Sequence, residues 1–144
     1  MGQVHGEIDR GCYFDCKAMA TQQRVEALKA AGLAFPPPQS IRVLIDTGAS
    51  STSVDHSVIA SLGLDPTGFA LVHTPTTSGI PVGRALYDLS IVFGEGSIDP
   101  RTYTIDVIET DFSGQPFALL LGWDILSRCV FRCDGPNGMF SLSF

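Results

Sequence analysis

Asp46 closes the run Ile41-Arg42-Val43-Leu44-Ile45, which is short, largely apolar and β-branched. Such a run reads as a buried strand. A carboxylate at the end of one is unusual, because an unpaired buried charge is costly. It is kept there only if it is solvated, paired or functional. The residues that follow, Thr47-Gly48-Ala49-Ser50, form a turn and favour function. Gly48 lets the backbone approach the carboxylate and donate its N–H. Thr47 offers a hydroxyl that can lock the turn to a neighbouring chain. The chemistry open to such a carboxylate is proton transfer to and from a reacting group. A second apolar run, Phe117 to Leu121, ends in the same abrupt way at Gly122, with Trp123-Asp124-Ile125-Leu126 behind it.

The other reactive side chains carry less. The cysteines fall in two pairs, Cys12/Cys16 and Cys129/Cys133, each spaced C-x-x-x-C. Zinc sites favour a tighter C-x-x-C spacing. A disulfide pairing finds no secretory context here. Buried reduced thiols are expected, with no metal and no cofactor. His73 stands alone in a polar stretch and reads as solvated.

These residues need a scaffold. The chain has 144 residues, enough for one hydrophobic core, and its 44% apolar and 17% charged content is that of a folded protein. Fifteen Gly and nine Pro point to many turns and short strands rather than a helical bundle. Val4 and Ile8 suggest a strand within Gln3 to Asp9. Thr21 to Ala31 has a helical pattern, with Thr21 as N-cap and Gly32 just past the end. Pro36-Pro37-Pro38 stops any helix and marks a boundary. Residues 1–39 are therefore expected to be an N-terminal extension packed on the core, and residues 40–144 the main domain. Asp55 is the expected N-cap of a second helix that runs to Gly63. Ala85 to Phe93 alternates cleanly, as do Tyr103, Ile105 and Val107, so both read as strands. Asp124 to Arg128 allows a short helix. Met139 to Phe144 reads as a last strand. The expected fold is mainly β.

The formal net charge is −6. No basic cluster follows a phosphate backbone or an anionic membrane, so neither nucleic acid nor membrane is an expected partner. No apolar run approaches the ~20 residues that span a bilayer. Met1 to Arg10 is polar and lacks a signal-peptide core, so a cytoplasmic location is expected.

Taken in order, Asp46-Thr47-Gly48-Ala49-Ser50 after a strand, a helix ending Leu62-Gly63-Leu64, and Leu119-Leu120-Leu121-Gly122 before a short helix resemble the retropepsin-like aspartic proteases. These are the single-domain type typified by retroviral enzymes. The resemblance spans Ile41 to Phe144. It implies a closed β-barrel half-domain of the acid-protease fold, with Asp46 as the catalytic carboxylate beside Thr47 and Gly48. The chain has a single Asp-Thr-Gly, so two copies would have to pair and bring two Asp46 carboxylates to one water. The implied partners are a second copy and a peptide or protein substrate. Ala49, Ser50, Leu121 and Gly122 would line the cleft. A flap would span Val72 to Val82, with Thr76, Thr77, Ser78 and Gly79 near its tip and facing the peptide. The last strand, Phe140 to Phe144, would join a sheet between subunits.

The pattern also departs from the retroviral one. Those enzymes carry Asp at the position of Ser50 and Arg at the position of Trp123, and the two pair to stabilise the dimer. That ion pair is missing here. The alternative to an aspartic endopeptidase is a catalytically weak peptide-binding or dimerisation module with the same fold.

Overall fold

The computed structural model describes residues 1–73 and 78–144. In chain order the elements are β1 (Gln3–Glu7), β2 (Tyr13–Met19), α1 (Gln22–Ala30), β3 (Gln39–Ile45), β4 (Ser53–Asp55), α2 (His56–Leu62), β5 (Gly68–Val72), β6 (Val82–Phe93), β7 (Arg101–Thr110), β8 (Leu119–Leu121), α3 (Trp123–Leu126), β9 (Val130–Asp134) and β10 (Met139–Ser143). The architecture is mainly β, as expected. Strands pair in the order β2-β3-β8-β4-β7-β6, and β6 pairs back onto β2. The result is a closed six-stranded barrel, with β5 attached to the free half of β6. A second sheet, β1-β10-β9, packs beside it.

Closure explains the core. Alternate residues of a strand share one face. On β6 these are Tyr87, Leu89, Ile91 and Phe93, all buried. Phe93 is fully buried at the centre of an aromatic group, 5.1 Å from the Phe14 ring, 5.3 Å from Tyr103 and 5.5 Å from Phe144. The Phe144 contact seals the second sheet onto the barrel. Burying side chains of this size contributes about 1.5–3 kcal/mol each.

Two expectations need correction. Residues 1–39 are not an appendage, because β2 is a barrel strand paired with β3 on one side and β6 on the other. Tyr13-Phe14-Asp15-Cys16-Lys17-Ala18-Met19 alternates inward Phe14, Cys16 and Ala18 with outward residues. That pattern was hidden by the small Cys and Ala on its buried face. Helix α1 does form, capped by Thr21, but it buries none of its residues. It is tied down by Arg24, which donates to the Gly63 carbonyl at 2.7 Å and pairs with Asp65 at 3.2 Å. The second correction concerns β10, which is the central strand of its own sheet, paired with β1 and β9. Its ladder groups on both sides are used within the chain, so it cannot supply an edge to another subunit. The sheet's edges are β1 and β9.

Turn chemistry follows the local sequence. Asp55 caps α2 by accepting from the Ser57 N–H, and Gly63 closes it in the left-handed region at φ 60°. Among the described residues no helix is long and apolar enough to cross a membrane.

Candidate active site

The pairing of β3 with β8 is parallel, with Ile45 beside Leu121. Parallel neighbours end at the same edge of a sheet, so the turn after Ile45 and the turn after Leu121 emerge side by side. This brings Asp46 next to Gly122 across a long stretch of sequence. The Asp46 N–H donates to the Leu121 carbonyl at 3.1 Å, which continues the ladder by one more rung.

Asp46 is half-buried at this barrel end, and Thr47, Gly48 and Ser50 are exposed. Gly48 donates its N–H to Asp46 Oδ1 at 2.8 Å. A Cβ on Gly48 would stand 3.1 Å from that same oxygen. The glycine therefore has a direct reason: a side chain there would press on the carboxylate it holds.

The loop is then laced to the segment after β8. Trp123 N donates to the Ala49 carbonyl at 2.9 Å, and Asp124 N donates to the Ser50 carbonyl at 3.2 Å. Thr52, wholly buried, donates its Oγ hydrogen to Asp124 at 2.6 Å and its N–H to the other carboxylate oxygen at 2.9 Å. The Gly122 N–H donates to Thr52 Oγ at 3.1 Å. The Trp123 indole N–H donates to the Thr47 carbonyl at 2.6 Å. Where the retroviral pattern has an ion pair, this chain has a hydrogen-bonded lattice built from Thr52, Asp124 and Trp123. Sequence reading singled out Trp123 only as a departure, and Thr52 not at all. A buried Thr is visible in sequence only if its neighbours on the barrel are already known.

Leu121 and Gly122, expected among the residues that meet a substrate, are both buried. Leu121 is fully buried in the core, and a Cβ on Gly122 would lie 2.6 Å from the Ser51 backbone carbon. Both sit behind the loop that carries Asp46. The strands β5 and β6, which flank the segment expected as a flap, pair antiparallel from Gly68↔Leu86 to Val72↔Val82. Ser78 and Gly79 form a turn with φ of 51° and 77°. Thr76 and Thr77 lie outside the described residues.

Two other groups of reactive side chains sit elsewhere. All four cysteines are free, with Cys12 and Cys16 buried. Burial pushes the Cys12 thiol up to about 11, with the neighbouring Cys133 adding to it. Burial, then the nearby Asp15, takes Cys16 to about 12. Both are therefore thiols, not thiolates, at neutral pH. Asp55, His56 and Asp111 bring donor atoms within 4.8 Å of one another. Their carboxylates are already engaged, however. Asp55 accepts from Ser57 and from the Phe112 N–H at 2.7 Å, and Asp111 accepts from the Ser113 N–H at 2.9 Å. Burial raises Asp55, but those hydrogen bonds outweigh it and hold the carboxyl below its ordinary range.

Comparison with known proteins points the same way as this geometry. Residues 38–125 match the family described as aspartyl protease. No curated protein matches the chain. Among solved structures, the crystal structure of a retropepsin-like aspartic protease from Rickettsia conorii superposes with a TM-score of 0.59 at 20% sequence identity, covering 99% of this chain and 91% of that one. At that identity the likeness is one of fold.

Proposed function

The chain belongs to the aspartyl protease family, and we propose that it is an endopeptidase whose working site forms when two copies each contribute one Asp46. The observation that carries this reading is the Asp46 carboxylate itself. It is half-buried at the mouth of the parallel β3/β8 pair, held by the Gly48 N–H, beside exposed Thr47, Gly48 and Ser50. A single such carboxylate is half of an acid–base pair, and the chain has only one Asp-Thr-Gly.

Two carboxylates a few ångströms apart cannot both ionise cheaply, so they share one proton, as is established for aspartic proteases as a class. The ionised Asp46 of one copy takes a proton from the water between them. The water oxygen attacks the peptide carbonyl, and the protonated Asp46 of the other copy donates to the carbonyl oxygen. A tetrahedral diol results. Its collapse breaks the C–N bond, with the proton passing to the departing amine. Water is the nucleophile and the two carboxylates move only protons, so no covalent intermediate with the protein forms.

The substrate is an extended peptide that adds a strand between the β5/β6 hairpin and the loop of Asp46. Residues directly opposite on antiparallel strands share a face. Phe69 faces Ala85 and Leu71 faces Gly83, and these lie on the β6 face that continues into buried Tyr87 and Leu89. Phe69 and Leu71 are 79% and 72% exposed. This apolar underside favours peptides with apolar side chains near the cut bond. Thr47, exposed beside Asp46, is positioned to reach a second copy, and Ala49 and Ser50 flank the peptide.

The test is Asp46→Asn. The variant is nearly isosteric and should keep the fold and the dimer while losing cleavage of a peptide library. A statine-type transition-state mimic should bind wild type and not the variant. Cleavage that persists in Asp46→Asn would remove the carboxylate from the mechanism. Wild type that dimerises, binds peptides and never cleaves would favour the binding-module reading.

A further inference from the structure

The Thr47–Gly48 peptide group is held at both ends. Its N–H, on Gly48, donates to Asp46 Oδ1 at 2.8 Å. Its C=O, on Thr47, accepts from the Trp123 indole at 2.6 Å. A peptide group is planar, so rotating one end rotates the other. A hydrogen bond accepted at the carbonyl also polarises the group and strengthens the N–H as a donor. The indole and the carboxylate are thus joined through a single rigid plate.

Trp123 is 49% exposed, so its ring is not placed there mainly to fill the core. An indole that open has water available for its N–H, yet it turns inward to the loop. Its own backbone is fixed by the bond to the Ala49 carbonyl, and the next residue by the bond to the Ser50 carbonyl. Asp124 is fixed in turn by Thr52. The indole therefore projects from a rigid base.

We infer that Trp123 is a positioning residue for Asp46, its indole N–H setting, through the Thr47–Gly48 peptide, the direction from which the Gly48 N–H meets the carboxylate. The inference rests on the peptidase reading above and deepens it. It also accounts for the position where the retroviral pattern has Arg: the donor is retained, but it serves the loop backbone instead of a carboxylate. Because Thr47 is exposed, water can replace the indole at its carbonyl. Losing the indole N–H should therefore cost turnover more than folding.

Three variants test this: Trp123→Phe, which keeps an aromatic ring without the donor; Trp123→His, which restores a ring N–H; and Asp46→Asn. Kinetics are measured at concentrations where the dimer is saturated. Trp123→Phe is expected to melt as wild type, to keep KM, to lose kcat by on the order of tenfold, and to shift its pH–rate profile. Trp123→His should recover part of kcat and of the profile. The chain has one tryptophan, so its indole N–H gives a single nuclear magnetic resonance signal. That signal should exchange slowly with solvent despite the exposed ring. A Trp123→Phe variant with wild-type kcat and pH profile, or an indole that exchanges as fast as a free one, would overturn the inference. So would a loss of kcat that comes with a lost dimer or a lost melting transition, which marks a merely structural role. Asp46→Asn separates the two levels: if it stays active the peptidase reading falls, and if it is dead while Trp123→Phe is normal only the positioning role falls.

Discussion

Gly122 shows most sharply how one residue's size controls the loop that carries Asp46. Its buried backbone lies so close to Ser51 that an added Cβ would stand 2.6 Å, 2.7 Å and 2.9 Å from the Ser51 carbon, oxygen and nitrogen. Those are backbone atoms and cannot rotate away as a flexible side chain would. Gly122→Ala is therefore expected to push the loop off its position. It should lower stability by about 1–3 kcal/mol, the usual range for overpacking, and reduce peptide cleavage further than the stability loss explains. Thermal melting and cleavage assays on the same preparation check this; a variant that cleaves like wild type would show that the loop can shift without harm. Gly48 is constrained differently, by the carboxylate oxygen at 3.1 Å. The sequence motif pointed to both glycines, and for Gly48 the reason was legible too. For Gly122 it was not, since nothing in the local sequence tells that Ser51 lies against it.

Strand pairing decides which charges meet. Asp88 on β6 stands directly opposite Asp106 on β7. A hydrogen bond with Asp106, then burial, then the repulsion of its charge raise the Asp88 carboxyl above its ordinary range. A carboxyl raised in the folded state holds its proton longer there than in the unfolded chain. Its contribution to stability is present below the ordinary carboxylate range and is lost as pH rises through the raised value. Asp106→Asn should therefore stabilise the protein near neutral pH by about 0.5 kcal/mol, since like charges directly opposite are unfavourable. The gain should shrink at about pH 4, where the raised Asp88 carboxyl holds its proton more of the time. Urea melts at the two pH values measure it, and an equal gain at both would show that charge is not the cause. The strands themselves were well marked in sequence by the alternation of Tyr87, Leu89, Ile91 and Phe93. Their register was not, because a shift by two residues preserves the same inward face.

At the scale of the molecule, closure of the barrel depends on β2. It bridges β3 and β6, so without it the barrel is an open sheet with two new edges. Deleting residues 1–20 should abolish the cooperative thermal transition and expose apolar surface, seen by circular dichroism and dye binding. Folding of the 40–144 fragment alone would contradict this and would restore the boundary that the triproline suggests. With β10 enclosed by β1 and β9, the open edges of this sheet are β1 and β9.

The sequence by itself determined the family and the class of fold. Asp-Thr-Gly after a strand and apolar-apolar-Gly before a short helix are local patterns, and local patterns are set by neighbours along the chain. Caps at Thr21 and Asp55 and the turns at Gly32 and Gly63 were legible for the same reason. Tertiary structure alone decided that β2 belongs to the barrel, that β10 lies inside its own sheet, and that Leu121 and Gly122 support the loop from behind. It also decided that Thr52, Asp124 and Trp123 replace an ion pair with hydrogen bonds. Each of these depends on which distant segments lie side by side. That follows from closing the barrel and aligning Ile45 with Leu121, an outcome of the packing of the whole core that no short stretch of residues encodes.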